Sequence, residues 1–139
     1  MRVVGIDLGS RRIGVAVSDP SGTIASPHQV LQRGRDRASD HAALARLVAD
    51  VGATRVVVGL PLSLSGARGP AARGVTEEVE ALAKVVGVPV ETFDERLTTT
   101  TADRSLSEQG LGTRARRRVV DKVAAAVMLQ AWLDGGRGR

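Results

Sequence analysis

Residues 3–18 read VVGIDLGSRRIGVAVS, and the fold turns on how this stretch is divided. Val3 to Leu8 is a short apolar run interrupted by Gly5 and Asp7, and Gly9-Ser10-Arg11-Arg12 supplies turn chemistry. Ile13, Val15 and Val17 then alternate with Gly14, Ala16 and Ser18. Period-two alternation is the mark of a strand, so the stretch predicts a β-hairpin. A nucleotide-binding Rossmann start is excluded, because its first strand runs into a helix. Asp19-Pro20-Ser21-Gly22 is a second turn signal, and Thr23 to Val30 returns as a third strand that Pro27 assigns to an edge.

Downstream the pattern changes to helices and buried strands. Ser39 or Asp40 caps a helix whose Leu44, Leu47, Val48 and Val51 keep helical spacing, with Gly52 as the stop. Arg55 to Leu60 is almost wholly apolar, as expected of a strand covered on both faces. Pro61 to Gly74 reads as a Pro/Gly/Ser loop in which Gly69-Pro70 can already open the next helix. The apolar face of that helix is Val75, Val79, Leu82 and Val86. Val88 to Asp94 predicts a fifth strand, Thr98 to Gln109 a helix, Gly112 to Arg118 a basic linker, and Ala115 or Val119 to Leu133 a last helix. The expected fold class is α/β, a five-stranded mixed sheet of order 3-2-1-4-5 flanked by helices. One domain over residues 1–134 with a disordered basic tail at 135–139 accounts for the chain.

Composition narrows the function. With 139 residues there is room for one lobe, and Phe93 and Trp132 are the only aromatics, which excludes recognition by stacking successive bases on rings. Twenty basic against fifteen acidic residues give +5, and eighteen of the twenty are Arg, whose planar fork matches phosphate. Residues 75–95 hold six acids and one base, net −5, so the remainder of the chain carries +10. An acidic segment thus sits in a basic protein. There is no cysteine, which excludes thiol nucleophiles and zinc–thiolate sites. No run approaches the ~18 uncharged residues of a membrane span, so no membrane partner and a cytoplasmic location are expected.

Carboxylates set in apolar, small-residue runs stand out, since a charge so placed is costly unless partnered. Asp7 follows Val3-Val4-Gly5-Ile6, and Asp121 precedes Lys122-Val123-Ala124-Ala125-Ala126-Val127. In the expected topology Glu95, at the end of the fifth strand, lies two inter-strand spacings of about 4.8 Å from Asp7. Three carboxylates on separate elements form an oxygen site suited to Mg²⁺ or Mn²⁺. Arg11 and Arg12 follow Asp7, Arg96 follows Glu95, and Arg114, Arg116, Arg117 and Arg118 precede Asp121. These, with Thr98 and Thr99 at a helix N-terminus, predict a phosphate-binding rim. His28 and His41 show no spacing that makes a ligand pair or triad, and both read as structural. Lys122 reads as a solvated neighbour, and the loop Leu62 to Arg73 as a surface loop or a substrate or subunit contact.

Residues 5–19, then Val58-Gly59-Leu60-Pro61-Leu62, Asp94-Glu95-Arg96-Leu97-Thr98-Thr99 and Asp121-Lys122-Val123-Ala124-Ala125 resemble, in order, the signature blocks of the YqgF/RuvX family. Its members are ribonuclease H-like proteins described as pre-16S rRNA nucleases or Holliday junction resolvases. The resemblance implies a metal-dependent endonuclease with Asp7, Glu95 and Asp121 as its catalytic, metal-binding acids. It implies structured RNA or a four-way DNA junction as partner and a monomer or homodimer as the working unit. Classical junction resolvases of this fold carry a carboxylate at the end of the fourth strand, where this chain has Gly59-Leu60-Pro61. That departure makes junction resolution a weaker expectation than nuclease activity, and processing of the 5′ end of pre-16S rRNA is the leading expectation. The alternatives are a non-catalytic nucleic-acid-binding or transcription-associated protein and an actin-like ATPase lobe, which Asp7-Leu8-Gly9 and Gly14 also resemble. The ATPase needs a second lobe, and a pure binder gains nothing from carboxylates facing phosphate.

Overall fold

Alternation along the first strand sorts its side chains between two layers. In the computed structural model, which describes residues 1–60, 70–94 and 113–135 (side chains of 70–73 and 113–122 excepted), β1 spans Val3–Leu8. It sends Val4, Ile6 and Leu8 into one core and Val3 toward the other. β2 (Arg12–Ser18) pairs antiparallel with β1, Asp7 opposite Gly14, and β3 (Ala25–Gln32) pairs antiparallel with β2. β4 (Arg55–Leu60) and β5 (Val90–Asp94) add in parallel on the other side of β1, giving the order β3-β2-β1-β4-β5. The expected order is found, and β3 with Pro27 is an edge.

Helices α1 (Arg37–Asp50) and α2 (Pro70–Val86) cover one face, and α3 (Thr113–Asp134) covers the other. Beyond Arg55, β4 is apolar because it is enclosed from both sides: Val56 and Val58 join the α1/α2 core, Val57 the α3 core. The α1 cap is Asp36, whose Oδ1 accepts from Ser39 N at 2.8 Å. It lies upstream of the expected Ser39 or Asp40. Asp40 is instead buried, because its carboxylate is drawn to Gly34 N at 2.7 Å and to Arg33. In the second turn Asp19 accepts from Ile24 N, Ser21 Oγ and Thr23 N, which hold its carboxyl at about 2. Among the described residues no helix is long and apolar enough to cross a membrane. The expected helix over 98–109 and the tail at 136–139 lie outside the described residues.

Two glycines fix the approach of these layers. A Cβ on Gly9 would stand 2.6 Å from the Arg12 carbonyl oxygen, so the turn directly after Asp7 closes only around a bare Cα. A Cβ on Gly5 would stand 2.8 Å from the Leu129 Cβ and 3.3 Å from the Ala125 carbonyl oxygen. α3 is thus seated on the backbone of β1. Gly5→Ala is therefore expected to destabilise the fold by about 1–3 kcal/mol through overpacking. In urea titration the midpoint should fall with the slope unchanged, and an unaltered midpoint would contradict the close seating of α3.

Candidate functional site

The residue after Gly5 on the α3 side of β1 is Asp7. It is half-buried; Gly14 is its partner on β2, and Gly59 lies one step beyond the Ile6–Val58 pair on β4. As a hard oxygen donor the Asp7 carboxylate suits Mg²⁺ or Mn²⁺.

The course of α3 follows from three contacts. Leu129 and Ala125 lie on Gly5. Gln130 accepts from Ala25 N at 2.8 Å and donates to Thr23 O at 2.9 Å, at the start of β3. Trp132 lies under the Arg55 guanidinium, 5.9 Å from the ring centroid, and Arg55 pairs with Val3 at the start of β1. The helix therefore runs antiparallel to β1. Four residues of helix rise about 6 Å, and two residues of strand advance about 7 Å. The α3 backbone one turn before Ala125, at position 121, accordingly reaches the level of Asp7.

β5 ends at Asp94, which pairs with Leu60, whereas Phe93 pairs with Gly59 and packs against the α3 core. Asp94 thus falls on the α1/α2 side of the sheet, opposite to the Asp7 side, as alternation predicts. Arg11 is exposed and Arg12 half-buried, both beside the turn that follows Asp7. Glu95, Arg96, Thr98 and Thr99 lie outside the described residues. Asp121, Arg114, Arg116, Arg117 and Arg118 lie on α3, their side chains outside the described set. Among the described residues no group of three His, Asp or Glu side chains is placed to hold a metal. Trp132 is buried and Phe93 half-buried against the same core, so neither aromatic presents an exposed ring for base stacking.

One cluster is invisible to sequence reading. Arg33 donates from Nη2 to Glu78 Oε1 at 2.9 Å and from Nη1 to Glu78 Oε2, a bidentate pair, and lies 3.4 Å from Asp40 Oδ2. His41 Nε2 shares Glu78 Oε2 at 2.8 Å. Glu78, His41 and Asp40 are all buried. Burial pushes the Glu78 carboxyl up, but the Arg33 and His41 hydrogen bonds and charges outweigh it and hold the group below the usual range. The hydrogen bonds that Arg33 donates to Glu78, with Asp40 assisting, raise Arg33 in turn, against the cost of burial. Arg33 Nε also donates to Gly9 O at 3.0 Å, and Arg33 N to Arg11 O at 2.9 Å. The network thereby ties the β1–β2 turn to α1 and α2. Residues 33, 41 and 78 come from three elements with no common spacing, and only the buried acid in an otherwise apolar face of α2 could have signalled them.

Residues 1–135 match the family model described as "RuvX: Holliday junction resolvase". A relative from Mycobacterium sp. (strain KMS), named "Putative pre-16S rRNA nuclease", is 46% identical over 137 residues, covering 98% of this chain and 81% of the relative. One of the same name from Moorella thermoacetica is 47% identical over 134 residues, covering 96% and 95%. Among solved structures, T. thermophilus RuvC in complex with a Holliday junction substrate superposes with a TM-score of 0.63 at 21% identity, covering 99% of this chain and 97% of that one. This last likeness establishes the ribonuclease H-like fold.

Proposed function

Because the chain belongs to the RuvX family, we propose that it is a metal-dependent endonuclease of structured nucleic acid that processes the 5′ end of pre-16S rRNA in the cytoplasm. The observation that carries this reading is Asp7, a half-buried carboxylate between two glycine positions beneath α3, in a chain similar along its length to proteins named for that activity. Asp7, Glu95 and Asp121 would hold Mg²⁺ or Mn²⁺. A divalent ion held there would supply a water of lowered pKa and would stabilise the charge on the departing 3′ oxygen. Water adds across the phosphorus–O3′ bond and leaves a 5′-phosphate and a 3′-hydroxyl. Arg11, Arg12, Arg96, Arg114, Arg116, Arg117 and Arg118, with Thr98 and Thr99, bind the flanking phosphates and orient the strand.

A four-way DNA junction is the second reading, favoured by the description of the family model. Against it, β4 brings Gly59 level with Asp7, and Leu60, by alternation with Val56 and Val58, falls on the other side of the sheet. A junction with two-fold symmetry also calls for two sites in a dimer. The deciding experiment compares cleavage, with Mg²⁺ or Mn²⁺, of a 5′ pre-16S leader stem, a single-stranded RNA and a four-way DNA junction. Cleavage of the leader stem is expected. Preferential cleavage of the junction would overturn the ribosomal assignment, and cleavage of none would overturn the nuclease reading.

A further inference from the structure

We infer that the nucleic-acid backbone extends across the β1–β2 turn into a groove at the start of α1, where Arg35 and Arg37 join Arg11 in gripping its phosphates. This rests on the nuclease reading and adds a surface that the arginines flanking the three acids do not include. Arg35 stands in the loop from β3 to α1, and Arg37 is the first residue of α1. That loop is stitched to the turn after Asp7 by Arg33 N on Arg11 O and Arg33 Nε on Gly9 O. All three arginines are exposed. Among the described residues no carboxylate lies within ion-pair distance of them.

Between the turn and the helix lies a groove of about 430 Å³ lined by Ser10, Arg33, Gly34 and Arg37, with Asp36, Asp40 and Glu78. A second hollow of about 250 Å³ continues it past Gly9 toward Gly74 and Val75. Its acids are already committed. Glu78 and Asp40 engage Arg33 on the floor, and Asp36, exposed at the rim, accepts from Ser39 N. Arg11, Arg35 and Arg37 face solvent beside it and outnumber Asp36 there, on a turn, a loop and the first residue of α1 that Arg33 ties together. Uncommitted arginines on a braced support, beside a groove and at the end of β1 that carries Asp7, fit a polyanionic strand better than an acidic peptide. A nucleic-acid strand carries a phosphate at every nucleotide on both sides of the cleavage point, so one strand can meet Asp7 and these arginines together.

The test uses a fluorescein-labelled RNA hairpin with single-stranded flanks, bound in EDTA and followed by anisotropy from 50 to 200 mM KCl. Relative to wild type, Arg35→Gln/Arg37→Gln is expected to bind roughly tenfold more weakly, with the slope of log affinity on log salt reduced by about 1.4–1.8. Arg46→Gln, an exposed arginine facing a different hollow on α1, should leave both unchanged. With Mg²⁺ present the double variant should raise KM and leave kcat within about twofold, as for lost uniform binding. Wild-type affinity and slope in the double variant, or an equal loss in Arg46→Gln, would overturn the inference while leaving the nuclease reading intact. A wild-type protein that binds the hairpin with no salt dependence would overturn both.

Discussion

Asp7→Asn is expected to lower metal-dependent cleavage by roughly 10³-fold or more, about 4 kcal/mol of transition-state stabilisation, while the protein keeps its melting temperature. Asparagine has the shape of aspartate, so it fits between Gly14 and Gly59 and leaves the seating of α3 on Gly5 untouched. It withdraws the negative charge that a cation needs and offers one oxygen in place of two. Binding of Mn²⁺, followed by paramagnetic relaxation of water, should weaken in parallel, which separates loss of metal from loss of substrate affinity. Binding of RNA in EDTA should persist. A variant that cleaves at the wild-type rate in pure preparations would remove Asp7 from the reaction.

The second large effect concerns stability. Glu78→Ala should cost about 3–5 kcal/mol, because it leaves Arg33 and His41 without their shared buried acceptor. Replacing Arg33, His41 and Glu78 together by Met, Leu and Leu should cost less than Glu78→Ala, since three of the four clustered groups leave together and Asp40 keeps its hydrogen bond from Gly34 N. The sign with pH follows from the Glu78 carboxyl lying below its ordinary 4.5 when folded. Its contribution is complete above that value and is lost as the pH falls through the lower folded value. Urea midpoints measured from pH 6 to pH 3 should fall in the wild type and stay flatter in the triple variant. Equal acid sensitivity of the two proteins would show that the network does not govern the acid limb.

Much of this arrangement is legible in the chain. The hairpin at 3–18, the apolar strand at 55–60 and the helical face of Val75, Val79, Leu82 and Val86 each impose a period that backbone geometry can satisfy in one way. Pro27 marks its edge because a proline cannot donate to a ladder. Asp7 is conspicuous because charge in an apolar run is costly unless used. The cap of α1 differs from the expected Ser39 or Asp40 because Asp36, Ser39 and Asp40 are all competent caps by type. The choice among them is made by Arg33 and Gly34, which draw Asp40 inward.

By itself, then, the sequence determined the strand order, the scarcity of aromatic surface and Asp7 as the acid to watch, because these depend on local period and composition. Tertiary structure alone decided that Gly5 is the bed on which α3 lies, that Gly14 is the cross-strand partner of Asp7, and that Arg33, His41, Asp40 and Glu78 form one buried network. It also separated an arginine that is consumed internally, Arg33, from those that face solvent, Arg11, Arg35 and Arg37. The physical reason is that a charge acts through whatever stands within a few ångströms of it. For Arg33 and Glu78 those neighbours are 45 residues apart in the chain.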